Sequence, residues 1–203
     1  MEEMILELDD WFCRTYANVQ RLSTLPGYRM PSAGEVAQKD YKAADRMKLY
    51  RQSNRGDLLA LFKDSVTDME VGFSYSVPHL SERIRDFFHP GISPQKNIKS
   101  LLKRTGNTKT PVWEKIGVDR EVWRYIVKGA LRPTRRSVMR LCIVTGAGVE
   151  DYDRLLDSIS LERDDEDVWE IIGIFILSKH ITDMQAVEAC FAAYNLHFAK
   201  QND

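Results

Sequence analysis

The sequence predicts an all-α protein: a helical module over residues 96–158, an N-terminal helical region within 1–90, and a C-terminal helical pair within 164–200. Three observations predict it. Apolar residues recur at three- and four-residue intervals along most of the chain. Ser, Thr and Asp stand where these runs begin and Gly where they end. At most one short segment, Glu70–Val77, alternates with period two as a strand would.

Taken in order, residues 2 to 23 read as one amphipathic helix, with Ile5, Leu8, Phe12, Tyr16, Val19 and Leu22 on one face. Pro26-Gly27 stops it. A polar loop to about Gly34 precedes a second helix carrying Val36, Ala37, Tyr41, Ala44, Met47 and Leu49, and a shorter third follows around Asp57–Phe62. In Glu70–Val77 the alternation puts Val71, Phe73, Tyr75 and Val77 on one side. A single strand makes no sheet, so this segment is either extended chain laid on the helices or an edge awaiting a partner. Pro78 starts a helix through Phe88, and His89-Pro-Gly-Ile-Ser-Pro94 is the best linker in the chain.

The next segment, Lys109 to Gly129, has the order of a helix, a tight turn and a second helix. Val112 and Ile116 share a face of the first, Val122 and Ile126 a face of the second, so the two pack by those faces. Thr110-Pro111 reads as N-cap and first helical residue. Gly117 suits a left-handed turn, Val118 drops into the core, Asp119 caps the second helix and Gly129 ends it. Thr134 opens another helix with Val138, Leu141, Cys142 and Thr145 inward. Further on, the acidic run Glu162–Asp167 precedes an apolar helix and reads as a helix entry favoured by the macrodipole. Asp183 begins the last helix, with Ala186, Val187, Cys190, Phe191 and Tyr194 on one face. This final pair is too apolar to stand in water and must cover itself on the rest of the chain or on a second copy.

Composition bounds the function. With 203 residues, 43% hydrophobic and 29% charged, the chain can bury a true core. The acidic N-terminus does not resemble a signal peptide, and the longest apolar run, Ile171–Leu177, is too short to span a bilayer, so the expectation is a cytoplasmic protein with no membrane partner. Cys13, Cys142 and Cys190 lie far apart in apolar helical contexts and read as structural thiols. His79, His89, His180 and His197 are scattered without ligand spacing, and no Gly-rich phosphate loop or nucleophile elbow is present. The chain is therefore expected to be no enzyme and to need neither metal nor cofactor.

Charge is distributed unevenly. Between Lys96 and Thr145 thirteen basic residues face three acidic ones, a balance of +10, whereas the whole chain carries −1. A positive module within a near-neutral chain is suited to orientation on a phosphate backbone.

Residues 96–158 resemble the helix-turn-helix DNA-binding domain of the lambda-repressor/Cro superfamily, in Ile116-Gly-Val-Asp-Arg-Glu-Val-Trp-Arg-Tyr-Ile126, Lys128-Gly129, Pro133 and the helix bearing Arg140-Leu-Cys. Residues 168–194 are similar to a helical tail that follows such domains in proteins of Gram-positive gut bacteria. The resemblance implies a five-helix unit whose third helix enters the major groove of double-stranded DNA, in a bacterial or phage-type transcriptional regulator that pairs as a homodimer or with a protein partner. It places Arg120, Glu121 and Arg124 at base edges, and Lys109, Lys128, Arg132, Arg135 and Arg136 at phosphates. Trp113 departs from the pattern, since members have a small residue there. With Trp123 and Tyr125 it makes an aromatic group that is most simply core but equally suits a protein interface. The alternative is thus an adaptor that keeps the helix-turn-helix as a scaffold and binds a protein partner or RNA.

Overall fold

The computed structural model describes residues 1–15, 59–60, 62–68, 75–88, 93–164 and 167–198, excluding the side chains of 13–15. Among them the fold is all-α. The named helices are α1 (Glu2–Thr15), α2 (Leu80–Phe88), α3 (Pro94–Arg104), α4 (Val112–Lys115), α5 (Arg120–Lys128), α6 (Arg135–Thr145), α7 (Val149–Ser158), α8 (Val168–Ser178) and α9 (Met184–Ala192). The expected helix over 2–23 is described only to Thr15, and the one expected over Val36–Leu49 lies outside the described residues.

Local chemistry fixes the ends of α3 to α9. Pro94 opens α3 at a position whose amide would be orphaned in any case. Asp119 caps α5, accepting from the amides of Glu121 at 2.7 Å and Val122 at 3.3 Å. Gly129 closes α5 in the left-handed region, with φ of 75°, a conformation that costs a side-chain-bearing residue about 1–2 kcal/mol. Thr134 accepts from the Ser137 amide to cap α6, while Asp167 and Asp183 do the same for α8 and α9. One expected cap differs. The Thr110 hydroxyl caps nothing in α4; the Val112 amide donates to the Thr110 carbonyl at 2.8 Å, and Pro111 occupies the N-cap position. Pro111 has a ψ of 67°, outside the helical range, so the helix starts one residue later than the Thr-Pro pair suggests.

Two buried helices organise the core. In α6, residues Ser137 to Ile143 are all buried, and in α8 Trp169 to Gly173 and Phe175 to Leu177 are. The two helices pack on each other. Contact is close at Gly173, where a Cβ would stand 2.7 Å from the Met139 sulfur. On its other side α8 receives α1 and α9: Trp11 meets Phe175 at 5.7 Å between ring centroids, and Phe12 meets Tyr194 at 4.9 Å. The apolar C-terminal pair is thus covered within the same chain. On the far side of α6 lie α4 and α7, with α3 and α5 beyond.

Tyr75 to Val77 is extended. Its pairing is a single antiparallel bridge, with the Arg132 amide donating to the Ser76 carbonyl at 2.9 Å. Of the alternating run Glu70–Val77 these three residues are described, and they lie against the helical part of the chain; Glu70 to Ser74 lie outside the described residues.

Candidate nucleic-acid interface

The α4–α5 pair is built by a turn of four residues, Ile116 to Asp119. Gly117 adopts φ of 67°, Val118 is buried beneath it, and Asp119 redirects the chain into α5. Trp123 and Ile126 then point inward as α5 packs on α3 and α4. At 100° per residue this leaves Arg120, Glu121, Arg124, Tyr125 and Lys128 on the opposite arc, and all five are exposed. The structure therefore brings Arg120, Glu121 and Arg124 onto one face and adds Lys128 to it. Lys109 and Lys115 are exposed at either end of the preceding turn and helix.

The face carries its own local order. Arg124 reaches Glu121 at 3.3 Å, an exposed pair of the kind worth at most about 1 kcal/mol, and its guanidinium lies 5.7 Å from the Tyr125 ring. A contact this weak holds the guanidinium in place yet yields readily to a stronger acceptor.

Three of the arginines expected at phosphates are engaged inside the fold instead. Arg132 is 6% exposed; it donates to the Ser158 carbonyl at 3.1 Å and meets Asp86 at 3.1 Å and Glu82 at 3.8 Å. Arg135 lies 3.2 Å from Glu170 and 3.4 Å from Asp164, and donates to the Glu162 carbonyl. Arg136 pairs with Asp68 at 2.9 Å and stacks over Trp169. Arg140, counted in the basic balance, is fully buried against the Phe198 carbonyl and Trp169. Four of the thirteen basic residues are thus committed to internal ties, while Arg104 is exposed and pairs with Asp151 at the surface. The eight others, Lys96, Lys99, Lys103, Lys109, Lys115, Arg120, Arg124 and Lys128, are exposed.

The aromatic group is also divided. Trp123 is core, Trp113 is half-buried against it, and Tyr125 alone of the three is exposed, at 44%. Trp113 therefore packs partly on the core.

Elsewhere the ionisable groups read as structural. Burial pushes the Glu170 carboxyl above its ordinary range, although the Tyr152 hydroxyl donates to it at 2.7 Å and Arg135 stands beside it. The Tyr152 phenol is pushed up by burial and then by the Glu170 charge. Burial likewise raises the Cys142 thiol, and the Cys190 thiol to about 11, so both remain protonated at neutral pH. His79, His180 and His197 are exposed, and no group of three metal-ligating side chains occurs among the described residues. Nor is any described helix long and apolar enough to cross a membrane.

No protein-family model, curated protein or solved structure matches this chain. The functional reading therefore stands on the α5 face itself. Arg can bridge the O6 and N7 acceptors of guanine, Glu can accept from the cytosine amino group, and Lys side chains can neutralise phosphates.

Proposed function

We propose that residues 96–158 bind double-stranded DNA as a lambda-repressor-like helix-turn-helix, and that the protein is a sequence-specific transcriptional regulator. The observation that carries this reading is the outward face of α5, where Arg120, Glu121, Arg124 and Lys128 stand together on a capped helix held by α3 and α4. Arg120, Glu121 and Arg124 read base edges in the major groove. Lys109, Lys115 and Lys128 hold phosphates at the borders of that face, and Arg132, Arg135 and Arg136 act as internal braces.

One observation favours a second reading. The exposed Tyr125 ring beside Arg124 could stack on an unpaired base, which suits single-stranded RNA.

The test is fluorescence anisotropy of the purified protein with labelled duplex DNA and with single-stranded RNA, repeated with Arg124→Glu. Duplex binding that the variant loses supports the proposal. Preference for RNA moves the assignment to the second reading, and no binding to either nucleic acid at low salt removes both.

A further inference from the structure

Helix α2 is mounted in reverse. Leu80, Ile84, Phe87 and Phe88 fall within one arc of about 100° and are 72%, 49%, 78% and 70% exposed. The opposite arc is polar: Asp86 and Glu82 face Arg132, and Arg85 donates to the Ser160 hydroxyl at 3.0 Å. No residue of α2 is buried. A nine-residue helix is marginal by itself, and this one meets the rest of the molecule through charges while its apolar stripe faces water. Val77, 71% exposed, extends the stripe, and Phe87 and Phe88 pack edge to face in the open, 5.4 Å between centroids.

We infer that this stripe is the contact between two copies of the chain, packed α2 against α2 about a two-fold axis near Ile84. The argument rests on α2 alone and not on the nucleic-acid reading. Area is the first support. Five apolar side chains at this exposure present roughly 500–600 Å² per copy, at the upper limit of what monomeric proteins leave uncovered. Two such faces bury about 1,100 Å², near the lower bound of specific interfaces. Complementarity is the second. Glu82, Arg85 and Asp86 are turned inward, leaving exposed Arg83 as the charge flanking the stripe beside Phe87, and an identical stripe matches it in polarity and length. In an antiparallel pair centred on Ile84, Leu80 of one copy meets Phe88 of the other, the isologous arrangement that a two-fold contact requires. The area lies at the small end of specific interfaces, which suits a reversible dimer.

Sedimentation velocity over about 1–200 µM protein, at about 0.15 M and about 1 M NaCl, tests this for the wild type, Ile84→Glu and Phe87→Glu, with Ile84→Ala as a milder change. The wild type should pass from monomer to dimer with concentration and hold the dimer at high salt, because the contact is apolar. The Glu variants should weaken the dimer about a hundredfold or more, and Ile84→Ala several-fold, with circular dichroism unchanged since the altered side chains are exposed. A monomer throughout the range, with the stripe left to some other occupant, would overturn the inference, as would Glu variants that dimerise like the wild type. A dimer that binds no duplex DNA would sink the nucleic-acid reading and leave this contact standing.

Discussion

Arg132 separates an internal brace from a phosphate contact. In Arg132→Met the hydrophobic stem is kept and the guanidinium removed. The Ser158 carbonyl then loses a charged donor, a loss of about 1.5–3 kcal/mol, and Asp86 and Glu82 lose their cation. Breaking a fully buried pair costs about 3–5 kcal/mol, but these carboxylate side chains are 14% and 29% exposed, and water reduces their share. A net destabilisation of about 2–4 kcal/mol follows. For a chain of this length each kcal/mol lowers Tm by about 2–4 °C, so the expected fall is roughly 5–15 °C, read by circular dichroism against temperature. Duplex affinity measured well below that Tm should keep its dependence on salt. An unchanged Tm together with a salt slope shallower by about one would show that Arg132 holds a phosphate and would refute its assignment as a brace.

Other expectations follow from the same geometry. Asp119→Ala removes the cap of α5 and should cost about 0.5–2 kcal/mol in chemical denaturation, with duplex affinity falling as the first turn of α5 frays. Gly173→Ala places a Cβ within 2.9 Å of three Met139 atoms; overpacking of about 1–3 kcal/mol exceeds the gain of about 1 kcal/mol from replacing a helical Gly, so the variant should melt lower, and Met139→Ala should relieve it. Glu170 has its folded pKa raised above the ordinary 4.5, so folding takes up a proton there. Its contribution is fully present below the unfolded value and is lost as pH rises through the folded one. Stability should therefore decline upward from about pH 4.5, and Glu170→Gln should flatten that slope in denaturant titrations at stepped pH.

The turn was legible in the sequence because its determinants act within four residues. Gly117, Asp119, Gly129 and Thr134 each fix backbone or satisfy amides nearby, and the buried positions Val112, Ile116, Ile126, Val138, Leu141 and Cys142 follow from helical period. Thr110 misled because residue type alone does not report that Pro111 leaves the helical range. The inward turn of Arg132, Arg135 and Arg136 was hidden for a different reason. Their acidic partners, Asp86, Glu170 and Asp68, come from segments 35 to 68 residues away, where no local pattern marks a pairing. A charge balance counted along the chain cannot tell a brace from a free cation. The reversed mounting of α2 depends on the same distant partner, Arg132, and so was equally invisible in the sequence.

Salt dependence of duplex binding, compared between wild type and Arg124→Glu, tests the central claim most directly. With Lys109, Lys115 and Lys128 at phosphates around the α5 face, log affinity should fall against log salt with a slope of about −3 per copy. The variant should lose at least tenfold in affinity. A wild type that binds no duplex at low salt, or a variant that binds as the wild type does, would contradict the assignment of α5 as the DNA-reading helix.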